Sequence, residues 1–366
     1  MQSSARTKLF LAVAAIALVF VAYLLVTNKK VARTETKPNQ REPSVEPTSD
    51  PEPPPRAAVS VAPPVSAPTP AHTRIPGLIA SASWGAGANS IGRDVPSEGN
   101  PEGPMSFTIA PDGTLVVLDQ INSRLARYDK NGKRLSDTSI DAIYPQDVAV
   151  GADGTTAVLD RLKDKNVTLL DSNGRRIGSL PLEGEAIGET GGITGVFVDG
   201  DDVWVEREHG TLVKVGKTDG TPAEEQEELP GRPSRDGTLL LTAGIVEAGA
   251  GRIFVSAINR AVREHQFTRE IRLEDAVLNL VLLDSDKLGT IYVAAVIGTP
   301  DPPPGNVQVQ LVCLEPAQGA PMGGAFMPAN MLADETFRDL VVLDEGGVVY
   351  AERTEQGVTY RVYNCS

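Results

Sequence analysis

The stretch Ile109-Ala-Pro-Asp-Gly-Thr-Leu-Val-Val-Leu-Asp119 returns in the same chain as Val150-Gly-Ala-Asp-Gly-Thr-Thr-Ala-Val-Leu-Asp160. In both stretches an Asp-Gly turn separates two short apolar segments, and the two turn glycines, Gly113 and Gly154, stand 41 residues apart. A repeat of this length is typical of the four-stranded blade of a β-propeller and is longer than most helical repeats. The sequence therefore predicts an all-β propeller, a scaffold that leaves the activity open.

The strands of the blades follow from alternating apolar residues bounded by turn residues. In the first two blades they are residues 105–110, 114–118, 124–128 and 133–140, then 146–150, 155–159, 167–170 and 175–180. Weaker pairs of segments mark four later blades: 193–198 with 202–206, 239–241 with 251–256, 280–283 with 289–293, and 340–343 with 346–350. We expect six blades of four antiparallel strands over residues 73–366, with five or seven as alternatives. Residues 75–83 are expected to complete the blade that ends at residues 361–365, which closes the ring.

The N-terminal part of the chain has a different composition. Residues 9–26 contain only Leu, Ala, Val, Ile, Phe and one Tyr. As a helix this run is about 27 Å long, close to the hydrocarbon thickness of a bilayer. It is longer than the apolar region of a usual signal peptide, and no small-x-small site follows it. We therefore expect a transmembrane signal anchor after a short basic tail, residues 1–8, and keep a cleaved signal peptide as the alternative.

The orientation of this anchor is less strongly specified. Basic residues flank the apolar run on both sides and nearly balance, so the positive-inside rule alone does not decide. A short N-terminal tail before a long C-terminal domain is the usual form of an anchor that places the domain outside the cytoplasm. We expect a single-pass membrane protein whose propeller is periplasmic or extracellular. A cytoplasmic scaffold with the anchor reversed is the alternative.

Residues 27–72 are predicted to be a disordered linker. Eleven prolines lie between Pro38 and Pro70, and proline removes backbone donors and favours extended conformations. In this form the proline-rich part, residues 38–72, would reach roughly 110 Å. A spacer is the favoured interpretation, and a ligand for a proline-recognition module is the alternative.

The net charge of the folded part narrows the class of partner. Residues 1–37 carry six basic side chains and one acidic, which leaves 28 basic and 47 acidic and a net charge of −19 for the rest. Such an acidic domain does not suit nucleic acid.

The two cysteines, Cys313 and Cys365, are predicted to form one disulfide if the domain is exported. Two separately buried thiols are the alternative.

The segment Val117-Leu-Asp-Gln-Ile-Asn-Ser-Arg-Leu125 resembles the NHL-type repeat, in which Asp, Asn and Arg follow in this order between two strands. The resemblance covers residues 104–182. In the second unit Arg161-Leu-Lys-Asp-Lys-Asn166 lacks the Arg that the repeat has before its third strand. The resemblance implies an NHL-like propeller and no particular enzyme.

A candidate ligand-binding rim lies where the second strands of the blades end. Within a blade the chain alternates direction, so these ends are expected to lie on one face, around one mouth of the central channel, with the Asp-Gly turns on the other face. Converging polar loops on a rigid scaffold commonly bind ligands, although charged loops are often only solvated. The rim residues are Asp119, Asn122, Arg124, Asp160, Arg161, Asp164, Glu206, Glu208 and His209.

Motifs of catalysis and of metal binding are absent from the sequence. It has no Gly-x-Ser-x-Gly elbow, phosphate loop or dinucleotide fingerprint, and its three histidines and two cysteines lack zinc-site spacing. We expect no catalytic residues and no cofactor, with a channel calcium ion held by Asp and Glu oxygens left open. The favoured function is a tethered, non-catalytic module that binds a protein or glycan partner. The alternative is a metal-dependent hydrolase or lyase of the lactonase type. Glu206 and Asp160 could serve as acid and base, but their spacing does not select them over the neighbouring carboxylates.

Overall fold

The computed structural model describes residues 64–67, 77–299, 306–330, 332 and 334–365 of the 366-residue chain. The anchor predicted at residues 9–26 and most of the predicted linker lie outside these residues. Among the described residues, no helix has the length and apolar character needed to span a membrane.

The described residues form 26 strands in six sheets. The three that come first in the chain are β1 (Val65–Ser66), β2 (Gly77–Trp84) and β3 (Ser90–Ile91). Blade 1 contains β4 (Ser106–Ile109), β5 (Leu115–Asp119), β6 (Arg124–Tyr128) and β7 (Arg134–Ser139). Blade 2 contains β8 (Asp147–Val150), β9 (Thr156–Asp160), β10 (Asn166–Leu170) and β11 (Arg176–Pro181). Blade 3 contains β12 (Ile193–Asp199), β13 (Asp202–Arg207), β14 (Thr211–Lys217) and β15 (Glu228–Leu229).

Three further blades complete the ring. Blade 4 contains β16 (Arg232–Pro233), β17 (Leu239–Glu247), β18 (Arg252–Asn259) and β19 (His265–Arg272). Blade 5 contains β20 (Val277–Ser285), β21 (Ile291–Thr299), β22 (Asn306–Leu314) and β23 (Pro321–Pro328). Blade 6 contains β24 (Leu340–Val342), β25 (Val348–Thr354) and β26 (Gly357–Tyr363). Three single-turn 3-10 helices lie at Gln120–Asn122, Thr190–Gly192 and Ala248–Ala250.

The prediction of six blades with four antiparallel strands is confirmed. The turn that gave the repeat its signature recurs in blade 4, where Gly237 N donates to Ser234 O at 2.8 Å, as Gly113 N donates to Ala110 O at 2.8 Å. The two segments that the sequence assigned to blade 4 are therefore its second and third strands. Its inner strand, β16, has only two residues, too few to produce an alternating pattern.

The ring closes through the N-terminal strand β2, as predicted. β2 pairs antiparallel with β26, from Gly77 opposite Val362 to Ser83 opposite Gly357, and so becomes the outer strand of blade 6. The short β3 follows β2 in parallel. The blade that ends the chain is thus completed by a segment from before blade 1, which pairs edges that an open array would expose.

Part of the predicted linker belongs to the folded domain. β1 pairs in parallel with β19 at the outer edge of blade 4, with Val65 opposite Ile271, and Ala67 N donates to Arg272 O at 2.9 Å. Ala67 is buried in the apolar cluster between blades 4 and 5. The prediction of a disordered linker therefore does not describe residues 64–67. Their backbone pairs with the open edge of β19, and the side chain of Ala67 is buried.

The core consists of six apolar clusters, one between each pair of neighbouring blades. The cluster between blades 3 and 4 is the smallest, with Trp204, Leu212, Leu229 and Leu240 as its buried members. The predicted disulfide is present: Cys313 of β22 is bonded to Cys365, which follows β26, with 6.2 Å between their Cα atoms. It therefore links blade 5 to blade 6.

Candidate functional site

We call the face that carries the ends of the second strands the rim face, and the face that carries the Asp-Gly turns, such as residues 111–113, the turn face. Near the propeller axis, two carboxylates on the rim side are fully buried, Asp147 and Glu206. Asp147 begins the inner strand of blade 2. It accepts hydrogen bonds from Ser106 Oγ at 2.5 Å, Val196 N at 2.9 Å and Arg338 at 2.6 Å. These partners come from blade 1, blade 3 and the segment before blade 6, so Asp147 ties three parts of the ring together.

Glu206 is the last residue but one of the second strand of blade 3 and is paired with an arginine of blade 4. Arg232 donates from Nε to Glu206 Oε1 at 2.6 Å and from a terminal nitrogen to Oε2 at 2.9 Å. The same guanidinium donates to Leu283 O at 2.7 Å, and Thr194 Oγ1 donates to Glu206 Oε2 at 2.9 Å. Burial raises the pKa of Glu206, but the charge and hydrogen bonds of Arg232 outweigh it, so the pKa is lowered overall. The carboxylate is therefore ionised and fully partnered.

One aromatic ring contacts both arginines of the channel. The guanidinium carbons of Arg232 and Arg338 each lie 5.1 Å from the ring centroid of Phe197, which projects from the inner strand of blade 3. This distance is within the range of a cation–π contact. The centre of the propeller is thus occupied by two arginine–carboxylate pairs and one ring, and both carboxylates are committed to arginines.

The segment before blade 6 crosses the rim side of the channel and is held there by ion pairs. Arg93 forms a forked contact with Asp334, with nitrogen–oxygen distances of 3.0–3.1 Å. Arg353 donates to Asp339, and Phe337 N donates to Met105 O at 2.7 Å. Residues 334–339 therefore cover the channel on this face.

The first three predicted rim residues bind one another. Asp119 is fully buried and accepts hydrogen bonds from Asn122, from Arg124 Nε at 2.8 Å and from Gly92 N at 2.9 Å. Arg124 also donates to the carbonyl oxygens of Gly87 and Ser90. This group joins β3 and the residues on either side of it to blade 1, so its polar atoms hold the closure of the ring.

The next three predicted residues stabilise loops of blade 2. Asp160 is fully buried and accepts from the backbone N–H groups of Tyr144 and Lys163 at 2.7 and 2.8 Å. Asp164 accepts from Ile143 N at 3.1 Å. Arg161 donates to two backbone carbonyls of blade 3 at 2.6 Å and stacks on Phe337. Asp160 and Glu206, considered above as an acid and base pair, belong to separate hydrogen-bonded groups.

The last three predicted residues lie together at a cleft. Glu208 and His209 adopt left-handed backbone conformations, with φ of 51° and 57°, in the turn after β13. His209 is exposed, and its Nδ1 lies 3.8 Å from Glu206 Oε2. With Glu206 they border a cleft of about 280 Å³ on the rim face, which we call the blade 4 cleft. Its other lining residues are Gly210, Arg232, Leu241, Ala243, Gly244, Ile245, Asn279, Leu280, Leu282 and Leu283.

The walls of the blade 4 cleft are apolar and its floor is polar. β17 contributes one wall and β20 the opposite one, the turn after β13 forms the lip, and the Arg232–Glu206 pair lies at the base. Ile245, near the rim end of β17, leaves 42% of its surface exposed. An apolar concavity with a few placed polar groups is the usual form of a recognition site.

A larger groove of about 710 Å³ runs along the outer edges of blades 2 and 3. Five of its fourteen lining residues are glutamates, and Gln226 spans it by accepting from Ala186 N at 3.1 Å and donating to Glu183 O at 2.7 Å. Polar and apolar atoms contribute about equally to its walls, whereas apolar atoms predominate in the blade 4 cleft. Among the described residues, no group of three or more His, Cys, Asp or Glu side chains is placed to hold a metal ion.

Sequence reasoning missed Asp147, Phe197, Arg232 and Arg338. One signal was available, because Asp147 stands 41 residues after Ser106, its hydrogen-bond partner, which is the repeat period itself. Arg232 and Arg338 lie outside the recognisable repeats, in a two-residue strand and in a connecting segment. No periodic pattern marks such positions.

No protein-family model and no curated protein sequence matches this chain. Solved structures with a similar arrangement include hydrazine synthase of Kuenenia stuttgartiensis, at 15% identity over 71% of this chain and 86% of that chain, with a TM-score of 0.46. A member of the DUF4221 family from Bacteroides vulgatus aligns at 10% identity over 80% and 95%, with a TM-score of 0.44. Virginiamycin B lyase from Staphylococcus aureus aligns at 10% identity over 71% and 94%, with a TM-score of 0.42. Similarity at this level concerns the fold and assigns no function.

Proposed function

We propose that the protein is a non-catalytic binding module, a propeller tethered to the extracytoplasmic side of a membrane, which binds a protein partner at the blade 4 cleft. The observation that carries this proposal is the contrast between channel and cleft. The channel carboxylates Asp147 and Glu206 are occupied by arginines, whereas the cleft presents apolar walls to solvent at the end of the same network. Exposed apolar surface in a concave site is typical of partner recognition.

The chemistry of the cleft favours a protein over a glycan. Its walls are aliphatic, from Leu241 and Ile245 on one side to Leu280 and Leu283 on the other. Phe197, whose ring contacts Arg232 at the floor, already has the guanidinium carbons of Arg232 and Arg338 at 5.1 Å from its centroid. Aliphatic pockets receive apolar side chains, which proteins offer and sugars lack.

The alternative of a metal-dependent hydrolase or lyase receives less support from the channel. An oxygen-ligand metal site needs several free carboxylate or carbonyl oxygens. The two buried carboxylates that converge near the axis are instead neutralised, Asp147 by Arg338 and Glu206 by Arg232. Each arginine would have to be displaced before its carboxylate could coordinate an ion.

The tether and the compartment are part of the same proposal. The uncharged run at residues 9–26 has the length of a membrane span, and the disulfide between Cys313 and Cys365 suits an oxidising compartment.

We also propose that the blades are of the NHL type. The Asp, Asn and Arg of the first repeat support this, since Asp119, Asn122 and Arg124 bind one another.

Membrane topology is tested with protease and sealed right-side-out vesicles that contain the full-length protein. We expect added protease to cut the linker and release an intact propeller. Full protection of the propeller until the vesicles are opened would support the reversed anchor and contradict the proposed compartment.

Partner binding is tested by photo-crosslinking in native membranes. A photoreactive amino acid replaces Ile245 at the cleft, and in a control protein it replaces Ile177 of β11, which has a similar exposed fraction, 39% against 42%. We expect a crosslinked protein from the cleft position alone, and the purified partner should then bind the purified full-length protein. Equal crosslinking from both positions, or none from Ile245, would contradict protein binding at the cleft.

A further inference from the structure

Blade 4 lacks the rim-side half of its inner strand. β16 pairs only Arg232 with Leu241 and Pro233 with Leu240, whereas β17 continues to Glu247. In blade 5 the inner strand β20 pairs with β21 over its whole length. Within the part of the chain that the structure describes, residues 243–247 pair with β18 on one side and with no strand on the other.

The blade 4 cleft lies where the missing half-strand would be. Residues 243–245 of β17 line one side of the cleft, Asn279 and Leu280 of β20 line the other, and Arg232, the first residue of β16, forms the end. The cleft is therefore bounded by a sheet edge, an apolar wall and the point at which the existing inner strand begins. A strand edge without a partner presents a row of backbone donors and acceptors to whatever lies beside it.

We propose that an extended segment of a partner protein enters the blade 4 cleft and pairs with residues 243–247 as the missing part of the inner strand. This inference rests on the proposed function and specifies its mode. Addition of a strand to a sheet edge derives affinity from main-chain hydrogen bonds and specificity from pockets for alternate side chains. The five residues of the free edge match a segment about 17 Å long.

The cleft also specifies the character of the segment. Because alternate side chains of a strand point to opposite faces, every second side chain would face the wall formed by Leu280 and Leu283 and should be apolar. The volume of about 280 Å³ is below the usual range for whole small-molecule ligands, roughly 300–1,000 Å³, and suits one or two side chains. Glu208 at the lip is exposed, and Glu247 at the outer end shares Arg252 with Glu270, so the surroundings carry more negative than positive charge and basic residues flanking the apolar positions would be favoured.

The chain's own linker does not fit this position. Most of it is proline-rich, and proline cannot donate to a ladder. The proline-free stretch at residues 56–62 ends three residues before β1, a reach of about 10 Å. β1 lies at the outer edge of blade 4, and four strand spacings, about 19 Å, separate it from the cleft. The other long proline-free stretch, residues 27–37, has only Val31 and Ala32 as apolar residues, and these do not alternate, so we assign the occupant to another molecule.

The test uses full-length protein in detergent and a displayed library of random ten-residue linear peptides. Selected peptides are synthesised and their affinity is measured for the wild type, for Ile245→Asp at the free edge and for the control Ile177→Asp. We expect Ile245→Asp to weaken binding at least tenfold and Ile177→Asp to change it less than twofold. Hydrogen exchange should show new protection at residues 243–247 when peptide binds.

Methylation of the peptide backbone separates strand addition from other binding. N-methyl groups are placed on alternate amides, in one set of positions or in the other. A peptide paired with a single edge uses one set of amides, so we expect one methylated series to lose at least tenfold in affinity and the other to retain it.

Four results would overturn the inference: no peptide selected, equal binding to Ile245→Asp, tolerance of both methylated series, or competition by a synthetic peptide of residues 56–62, which would indicate a second copy of this chain. Peptides that bind without strand pairing would leave the proposed protein-binding function intact. That function fails separately, if crosslinking from the cleft position captures no partner.

Discussion

Replacement of Arg232 by Met removes the charge that partners a buried carboxylate while keeping an unbranched side chain. Glu206 then lies fully buried with Thr194 as its remaining side-chain hydrogen-bond donor. Removing one member of a buried ion pair usually costs about 3–5 kcal/mol. Glu206 can limit this cost by taking up a proton. At pH 7 protonation of a carboxyl whose unfolded pKa is about 4.3 costs about 4 kcal/mol, and at pH 5 about 1 kcal/mol.

The sign of the pH dependence therefore differs between the two proteins. In the wild type the pKa of Glu206 is lowered in the folded state, so its contribution is present above the unfolded pKa and is lost only as pH falls through the lower folded pKa. In Arg232→Met the folded pKa is raised by burial, and stability falls as pH rises from 5 to 7. Over this interval we expect the loss relative to wild type to grow from about 1 to about 4 kcal/mol.

Urea unfolding followed by tryptophan fluorescence, from Trp84 and from Trp204, which lies two residues before Glu206 on β13, measures this loss at each pH. The double variant Glu206→Gln/Arg232→Met should show no such pH dependence. Arg175→Met, which breaks an exposed pair with Asp171, should leave stability unchanged. A loss below about 1 kcal/mol at pH 7, or curves for Arg232→Met and wild type that run parallel from pH 5 to 7, would refute the reasoning.

Three further outcomes are expected. Reduction of the disulfide, which closes a loop with a sequence separation of 52 residues, should lower the free energy of unfolding by up to about 4 kcal/mol, and an unchanged melting temperature in reductant would contradict this. Deletion of residues 64–67 should lower the melting temperature because it uncovers the edge of β19. Deletion of residues 45–60 should leave the melting temperature unchanged if that stretch is only a spacer. Equal effects of the two deletions would contradict the role assigned to β1. Gly113 and Gly132 both have left-handed φ, 84° and 79°, but an added Cβ meets open space at Gly113 and lies 2.3 Å from Ile79 O at Gly132. Gly113→Ala should therefore cost about 1 kcal/mol and Gly132→Ala clearly more, and similar costs in urea unfolding would show that the contact is not limiting.

Much of the fold could be predicted from local signals. The repeated Asp-Gly turns and the alternating segments between them located strands in all six blades, because turn chemistry and side-chain alternation depend on neighbours in sequence. Where the local signal was short it was less informative, as in the two residues of β16. The strand at 65–66 was assigned to a linker because prolines surround it, and only the open edge of β19 makes it a strand.

Part of the candidate site could also be predicted from the sequence, and part could not. The sequence placed Glu206, Glu208 and His209 on the rim, and they border the cleft. It also grouped Asp119 and Asp160 with them, although each is buried in hydrogen bonds of its own loop. Whether a polar group is hydrogen-bonded within its own loop or faces solvent depends on residues that are distant in the sequence. The spacing of residues along the chain does not show these contacts.

The sequence by itself determined the propeller and its closing strand, and it favoured six blades and one disulfide, because each follows from a local repeat or from a small number of alternatives. Only the tertiary structure decided how the centre is filled and where the cleft lies. Arg338 and Asp147 are separated by 191 residues, and they meet only because a closed ring of six blades brings the starts of its inner strands to one axis. The cleft exists because β17 is longer than β16 beside it, a mismatch that appears only when the two strands are paired.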